Sequence, residues 1–231
     1  MSNNYFRFKQ FTVYHDLCAM KVGTDGVLLG SLADGGQRIL DIGTGTALAA
    51  LMMAQRFPNA LITGIDIDDD AVTQACHNVQ ISPFAERITI LNVDLKDFCP
   101  SIRYDSIICN PPFFEDSLNC PDYKRNIARH TNTLPYATLL SMTASLLTDN
   151  GIFTIIIPTS CVKRIEHECA FASLYITQRI FIRTVEKKEP KRVILSITKQ
   201  MPNQIQNITQ CLMNNGQHSE WYSKITEDFY L

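Results

Sequence analysis

Short apolar runs alternate with amphipathic segments from residue 38 to about residue 200. The almost continuously apolar runs are RILDIG, LITGIDI, ITILNVD, YDSIICN and GIFTIII. Runs of this kind are typical of parallel strands that are covered on both faces. Between them, segments such as TALAALMMAQRF place apolar residues at three- and four-residue spacing and predict helices. The alternation therefore predicts an open α/β sheet with helices on both faces.

The last two predicted strands, ITQRIFIRT and KRVILSITK, are joined only by VEKKEP. Because so short a link cannot hold a crossover helix, these two strands should pair antiparallel. We therefore predict a Rossmann-like sheet of seven strands, parallel except for its antiparallel last strand.

Two further segments flank the predicted sheet. Residues 1–37 contain an alternating stretch that predicts a hairpin, followed by a short helix that Thr24 can cap. Residues 38–200 form the sheet domain, and residues 201–231 form a tail whose last amphipathic turns can pack on that domain. With 231 residues and 45% apolar composition, we expect one domain overall.

Net charge, cysteine spacing and apolar run length limit the classes of protein to which this chain can belong. The net charge of −2 does not indicate nucleic-acid binding by the whole chain, but residues 160–200 hold nine Lys and Arg against four Glu. Eight cysteines occur without a C-x-x-C pair, which predicts reduced, packed thiols and no metal site. No leader and no apolar run of about 18 residues is present, so we expect a cytoplasmic protein without a membrane segment.

The segment DIGTGTA leaves the first strand of the sheet and enters a helix. Gly43 and Gly45 allow a tight turn that a ligand can approach closely. Asp66 follows Gly45 by 21 residues, at the end of the next strand, where a carboxylate can accept hydrogen bonds from both ribose hydroxyls. Because the third glycine of the dinucleotide pattern is replaced by Thr46 and Ala47, a nucleotide site and an ordinary turn both remain open.

Two more strand ends carry polar side chains. Asp94 can accept from an adenine amino group or cap the next turn. Asn110 opens the sequence NPPF, whose two prolines remove two backbone donors and end the strand. Since the ligand crevice of an open α/β sheet lies at the carboxyl ends of the strands, Asp66, Asp94, Asn110 and the glycine turn should line one cleft.

The order of these motifs resembles that of class I S-adenosylmethionine-dependent methyltransferases, with DIGTGT, IDID and NPPF at successive strand ends. The sequences KVGTDGVLLG, RNIARH, VEKKEPKRVILSI and DFYL further resemble the tRNA (adenine-N6)-methyltransferases that act on valine tRNA, at the adenine beside the anticodon. The resemblance implies S-adenosyl-L-methionine as cofactor, tRNA as partner, no metal and no obligate protein partner.

The resemblance also assigns residues. Those expected to bind the cofactor are Lys21, Gly23, Thr24, Asp41, Gly43, Gly45, Asp66, Ile67, Asp94, Leu95 and Asn110. Those expected to be catalytic are Asn110, Pro111, Pro112 and Phe113. Those expected to contact tRNA are Phe113, Lys124, Arg125, Arg129, His130, Lys187 and Lys188. The segment before the sheet is expected to close over the methionine end of the cofactor.

The expected chemistry depends on geometry. The Asn110 side-chain oxygen and the Pro111 carbonyl would each accept one hydrogen of the adenine amino group, so that its lone pair faces the methyl group, while Phe113 stacks on the base. NPPF also fits protein glutamine N5-methyltransferases, although only 37 residues precede the first strand of the sheet. The sequence is also compatible with a DNA adenine N6-methyltransferase and with a cofactor-dependent RNA-binding protein that has no catalytic activity.

Overall fold

The computed structural model describes residues 4–18, 21–111 and 134–231. Its helices are α1 (Thr24–Leu32), α2 (Leu48–Arg56), α3 (Asp69–Gln80), α4 (Tyr136–Leu146), α5 (Val162–Phe171) and α6 (Glu220–Thr226). Its strands are β1 (Tyr5–Arg7), β2 (Thr12–Tyr14), β3 (Arg38–Ile42), β4 (Leu61–Asp66), β5 (Ile88–Asn92), β6 (Tyr104–Cys109), β7 (Leu147–Pro158), β8 (Tyr175–Val185), β9 (Arg192–Thr198), β10 (Gln206–Asn214) and β11 (Gln217–His218).

The main sheet has the strand order β11-β10-β8-β9-β7-β6-β3-β4-β5, and β1 and β2 form a separate hairpin. Strand β9 is antiparallel to both β7 and β8, as expected for the last predicted strand. The predicted α/β class is therefore confirmed, with nine strands instead of seven. The additional strands β10 and β11 come from the tail, and β10 pairs parallel with β8. Its sequence QNITQCLMN mixes polar and apolar positions because the strand lies near an exposed edge, so no apolar run indicated it.

Helices cover both faces of the sheet. Consecutive residues such as Ile39 and Leu40 point to opposite faces, and both are fully buried. Helices α1, α2, α3 and α6 contribute with the hairpin to one apolar core, whereas α4 and α5 contribute to the other. Burial on both faces explains why these strands are almost continuously apolar.

The strands place the candidate site at one edge of the sheet. Strands β3 to β7 pair in parallel, so their carboxyl ends lie together, which we call the carboxyl edge. Since β8 is antiparallel to β9 and β9 to β7, the turn from residue 186 to residue 191 lies at this edge too.

The start of α1 differs from the sequence expectation. Gly23 is the N-cap residue, with an extended backbone at φ −132°, and no side chain caps the helix. Thr24 is instead the first residue of the helix, so the expectation that Thr24 is the cap is wrong. The helix ends at Leu32, before the glycines at 35 and 36. Within the described part of the chain, every helix is too short or too polar to cross a bilayer.

Candidate active site

The glycine turn between β3 and α2 has an unusual backbone. Gly43, Gly45 and Ala47 have φ values of +68°, +54° and +62°, all in the left-handed region. Glycine adopts this region without cost, whereas alanine there is strained. A Cβ atom built on Gly43 or Gly45 meets no described atom within 4 Å, so open space lies beside both residues. The turn thus presents bare backbone to that space, as a cofactor site requires.

Backbone and carboxylate hydrogen bonds attach the turn to β4. The N–H groups of Gly43 and Thr44 donate to the Ile65 carbonyl at 2.9 and 3.0 Å. The Gly45 N–H donates to Asp66 Oδ2 at 2.9 Å, and the Asp68 N–H donates to Asp66 Oδ1 at 3.1 Å. A carboxylate has about four acceptor positions, so both Asp66 oxygens can still accept from ribose hydroxyls. The two backbone bonds fix the orientation of the Asp66 carboxylate.

Asp41 lies beneath the turn and is only 2% exposed. Its Oδ2 atom accepts from Thr44 Oγ1 at 2.7 Å, and the Ala50 backbone N–H also hydrogen-bonds the carboxyl. Burial, together with the smaller effect of the neighbouring Asp66 charge, raises the pKa of Asp41 from 3.8 to about 7, against the lowering effect of its hydrogen bonds. Since Ala47 offers α2 no capping side chain, Asp41 satisfies part of that helix end. Asp41 therefore supports the glycine turn.

The predicted cofactor-binding residues that follow β4 and β5 differ in exposure and in hydrogen bonding. Ile67, directly after Asp66, exposes 44% of its surface at the carboxyl edge, an unusual position for a large apolar residue. Asp94 Oδ1 accepts from the Lys96 N–H at 2.9 Å, so the capping alternative for Asp94 is realised. Leu95 is 4% exposed and belongs to the core on the α4 side.

The segment from Lys21 to Thr24 reaches the carboxyl edge through the start of α1. Asp25, in the first turn of α1, forms a 2.9 Å ion pair with Arg192 at the start of β9. Gly26 lies so close to Leu48, the first residue of α2, that a Cβ atom would come within 2.9 Å of its side chain. These two contacts hold the start of α1 beside the glycine turn.

Asn110 follows β6 and is partly buried, and Pro111 is buried. The Asn110 Oδ1 atom is inaccessible to solvent and has no hydrogen-bond partner among the residues that the structure describes. Such an unsatisfied buried acceptor costs about 1–3 kcal/mol, so it indicates a place for a donor. The predicted residues Pro112, Phe113, Lys124, Arg125, Arg129 and His130 lie outside the described residues.

The predicted tRNA contacts Lys187 and Lys188 lie in the turn between β8 and β9, and both are exposed. No carboxylate of the described chain lies within 4.0 Å of either ammonium group. Thr159, at the end of β7, binds this turn through a 2.9 Å hydrogen bond from Oγ1 to the Pro190 carbonyl. The two lysines therefore lie on the β7 side of Asn110.

Helix α5 adds two exposed cations beside this turn. Lys163 and Arg164 lie in its first turn, shortly after Thr159. The Arg164 guanidinium lies 5.4 Å from the centre of the Tyr136 ring, in a cation–π contact at the start of α4. We call Lys163, Arg164, Lys187 and Lys188 the basic strip. The carboxylates Asp66, Asp68 and Asp94 lie beyond Asn110, on the β4 and β5 side.

Sequence reasoning missed two residues that shape the turn. Thr44 hydrogen-bonds Asp41, and Asn78 on α3 donates to the Thr46 carbonyl at 3.0 Å. Asn78 has 0% exposure although it is polar. A signal existed, because Gln74 and Asn78 are four residues apart on the buried side of an amphipathic helix.

The family pattern of the methyltransferase small domain matches residues 21–160 of this chain. The chain therefore belongs to the methyltransferase small domain family, which confirms the predicted class of enzyme. A solved structure of a predicted O-methyltransferase from Agrobacterium tumefaciens has the same fold. Its TM-score is 0.66 at 18% identity, covering 89% of this chain and 96% of that one.

Relatives with higher sequence identity to this chain share one name. The tRNA1(Val) (adenine(37)-N6)-methyltransferase of Phocaeicola vulgatus is 46% identical over 100% of this chain and 99% of its own length. That of Bacteroides thetaiotaomicron is 44% identical with the same coverage of both chains. That of Citrobacter koseri is 38% identical over 100% of this chain and 96% of its own length.

Proposed function

We propose that this protein transfers a methyl group from S-adenosyl-L-methionine to the N6 atom of an adenine in the anticodon loop of a valine tRNA. Relatives of this name align with the whole chain, which favours this function over a glutamine or DNA acceptor. The observation that carries the proposal is the buried Asn110 oxygen, which has no hydrogen-bond partner in the described part of the chain and lies beside an open glycine turn.

The described residues fit the cofactor. The turn leaves space at Gly43 and Gly45, Asp66 has acceptor positions for ribose hydroxyls, and exposed Ile67 offers an apolar surface for the adenine ring. We propose that Lys21, Gly23 and Thr24 hold the methionine end, and that Asp94 and Leu95 border the adenine. Asp41 acts through the turn that it supports. When bound, the cofactor supplies a methyl group that is electrophilic because it is attached to a positively charged sulfur.

Asn110 and Pro111 would orient the acceptor nitrogen. If Asn110 Oδ1 and the Pro111 carbonyl each accept one amino hydrogen, the nitrogen becomes more tetrahedral and its lone pair turns away from the ring. As the N–C bond forms, the S–C bond would break to leave S-adenosylhomocysteine, and the acidic methylated nitrogen would release its extra proton to water. Correct positioning of reacting atoms alone can lower a barrier by several kcal/mol, so a strong base is not required. Proline fixes φ at position 111 and keeps that carbonyl in place at little entropic cost. Stacking of the base on Phe113 remains a prediction.

The basic strip suits the tRNA. Its four exposed cations can contact phosphates on either side of an adenine that has left its stack. Anticodon loops present such bases because they are single-stranded. Contacts by Lys124, Arg125, Arg129 and His130 remain predictions, as does closure of residues 1–37 over the cofactor. A tRNA substrate would place the protein in the cytoplasm.

The test is transfer of labelled methyl from S-adenosylmethionine to an unmodified valine tRNA transcript, with nucleoside mass spectrometry as the readout. The expected product is labelled N6-methyladenosine, located by fragment mapping beside the anticodon. Parallel reactions contain a valine transcript with that adenine replaced by guanine, a single-stranded DNA loop of the same sequence, and a peptide-release factor. Label in the DNA or the release factor, but not in tRNA, would overturn the proposal.

A further inference from the structure

Two amide side chains are buried on the same side of α3. Gln74 is 2% exposed and Asn78 is 0% exposed, four residues apart and therefore adjacent on the helix surface. A buried amide is stable only where its donors and acceptors are paired, so its partners show what it holds in place.

Asn78 pairs fully with two separate segments. Its Oδ1 atom accepts from the Tyr14 N–H at 2.9 Å, and its Nδ2 atom donates to the Tyr14 carbonyl at 2.8 Å. The other Nδ2 hydrogen goes to the Thr46 carbonyl at 3.0 Å. Gln74 Oε1 accepts from the Leu17 N–H at 3.0 Å. Gln74 and Asn78 thus bind the backbone of residues 14–17, which we call the N-terminal segment. Asn78 also binds the glycine turn.

The bond to Thr46 falls at the strained part of the turn. Thr46 precedes Ala47, whose φ of +62° is unfavourable for a residue with a Cβ atom. Asp66 binds the turn from the β4 side, at the Gly45 N–H. Asn78 binds it from the α3 side, one residue later. The two contacts together fix the backbone at Gly45 and Thr46, next to the open space beside Gly43 and Gly45.

We propose that Asn78 is a positioning residue for the cofactor site, which joins the N-terminal segment to the glycine turn, and that Gln74 extends this contact toward Leu17. The inference rests on the proposed cofactor site. Binding of the cofactor to the turn and order in the N-terminal segment are then coupled, because one side chain bonds both.

The experiment compares three variants by calorimetric titration with S-adenosylhomocysteine and by thermal unfolding. Asn78→Ala loses all three bonds, and Gln74→Met loses only the bond to Leu17. The matched control is Arg87→Met. Arg87 donates to the carbonyls of residues 54, 57 and 60, at 2.8, 3.1 and 3.2 Å, at the opposite edge of the sheet. Asn78→Ser serves as the second variant at this position if Asn78→Ala does not fold.

We expect Asn78→Ala and Arg87→Met to lower the unfolding temperature by similar amounts. Only Asn78→Ala should raise Kd, by about tenfold, the equivalent of about 1.4 kcal/mol. Gln74→Met should raise it about two- to threefold. In steady state, Asn78→Ala should raise KM for S-adenosylmethionine with kcat and KM for tRNA within twofold of wild type. By NMR, cofactor should slow exchange of the Tyr14 amide in wild type but not in Asn78→Ala.

Equal Kd values in wild type, Asn78→Ala and Asn78→Ser would overturn the inference, as would an equal rise in Arg87→Met. The titration of wild type separates this failure from that of the proposed function. If wild type binds S-adenosylhomocysteine but transfers no methyl to tRNA, only the proposed acceptor is wrong.

Discussion

The two sides of the carboxyl edge differ in how their charged groups are held. On the side of β3, β4 and β5, carboxylates bind backbone N–H groups, as Asp66 does at Gly45 and Asp94 does at Lys96. On the side of β7, β8 and β9, the basic strip is exposed, and none of its cations pairs with a described carboxylate. Asn110, at the end of β6, lies between them.

This difference suits two kinds of ligand. A small cofactor is bound by a few directional contacts, so the groups that bind it must be oriented in advance. A polyanion is bound by many charge contacts that depend on salt, so mobile and unpaired cations are sufficient. The same edge of one sheet can therefore serve both requirements, and Asn110, which we propose orients the acceptor nitrogen, lies between the two sides.

The largest effect should come from the residue between the two sides. Asn110→Ala removes the proposed acceptor of the adenine amino group, and loss of one oriented active-site hydrogen bond can lower kcat by about 10²–10³-fold. Kd for S-adenosylmethionine should rise less than fivefold. Single-turnover methylation and calorimetry measure the two quantities, with exposed Asn203→Ala at the opposite edge as control. Turnover like wild type in Asn110→Ala would refute the proposed role.

The next effect belongs to the cofactor side alone. Asp66→Ala removes the charged acceptor that we propose for the ribose hydroxyls, and hydrogen bonds to charged groups are worth about 1.5–3 kcal/mol each. We expect Kd for S-adenosylhomocysteine to rise about 100-fold, with tRNA affinity unchanged. Asp70→Ala, which removes an exposed carboxylate at the start of α3, should leave both affinities within twofold. Equal losses in the two variants would mean that net charge, and not Asp66, determines binding.

A smaller effect should come from the RNA side alone. The double variant Lys187→Ala/Lys188→Ala should raise KM for tRNA about tenfold and reduce the slope of log Kd against log salt by about two, one for each phosphate that is no longer neutralised. Cofactor Kd should not change. Lys224→Ala removes an exposed lysine of α6, on the face of the sheet opposite to α5, and is the control. An unchanged salt slope in the double variant would place the RNA elsewhere.

The sheet could be predicted from sequence because burial on both faces leaves a strong apolar signal in β3 to β9. Strand β10 gave no such signal, since near an exposed edge its polar residues face solvent. The placement of Gly45, Asp66 and Asn110 at the carboxyl edge was predictable, because each residue lies at the end of, or just after, an apolar strand. Contacts between distant segments were not predictable, because the partners of Asn78 are backbone atoms 64 and 32 residues away. A backbone partner can belong to any type of residue, so the sequence does not show where it lies.

Substitution of Asp41, which supports the glycine turn, should have the smallest effect on turnover but a distinct effect on stability. Asp41 has a pKa of about 7 in the folded protein, raised by burial from its ordinary value of 3.8. Between these two pH values the folded state keeps a proton that the unfolded state has released. The free energy of unfolding therefore falls as pH rises through this range, by at most about 1.4 kcal/mol per pH unit, and becomes level above pH 7.

Asp41→Asn removes the titrating proton but keeps an amide that can pair with Thr44. Urea unfolding of both proteins at pH 5 and pH 8 isolates most of this contribution, because groups distant from Asp41 titrate alike in the two proteins. The stability of wild type relative to Asp41→Asn should be lower at pH 8 than at pH 5, by about 3 kcal/mol. A difference that does not change with pH would show that Asp41 is charged throughout. In that case Asp41 and Asp66 would both be charged, although one is buried and the other half-buried. The structure of the glycine turn would then depend on hydrogen bonds strong enough to stabilise both charges.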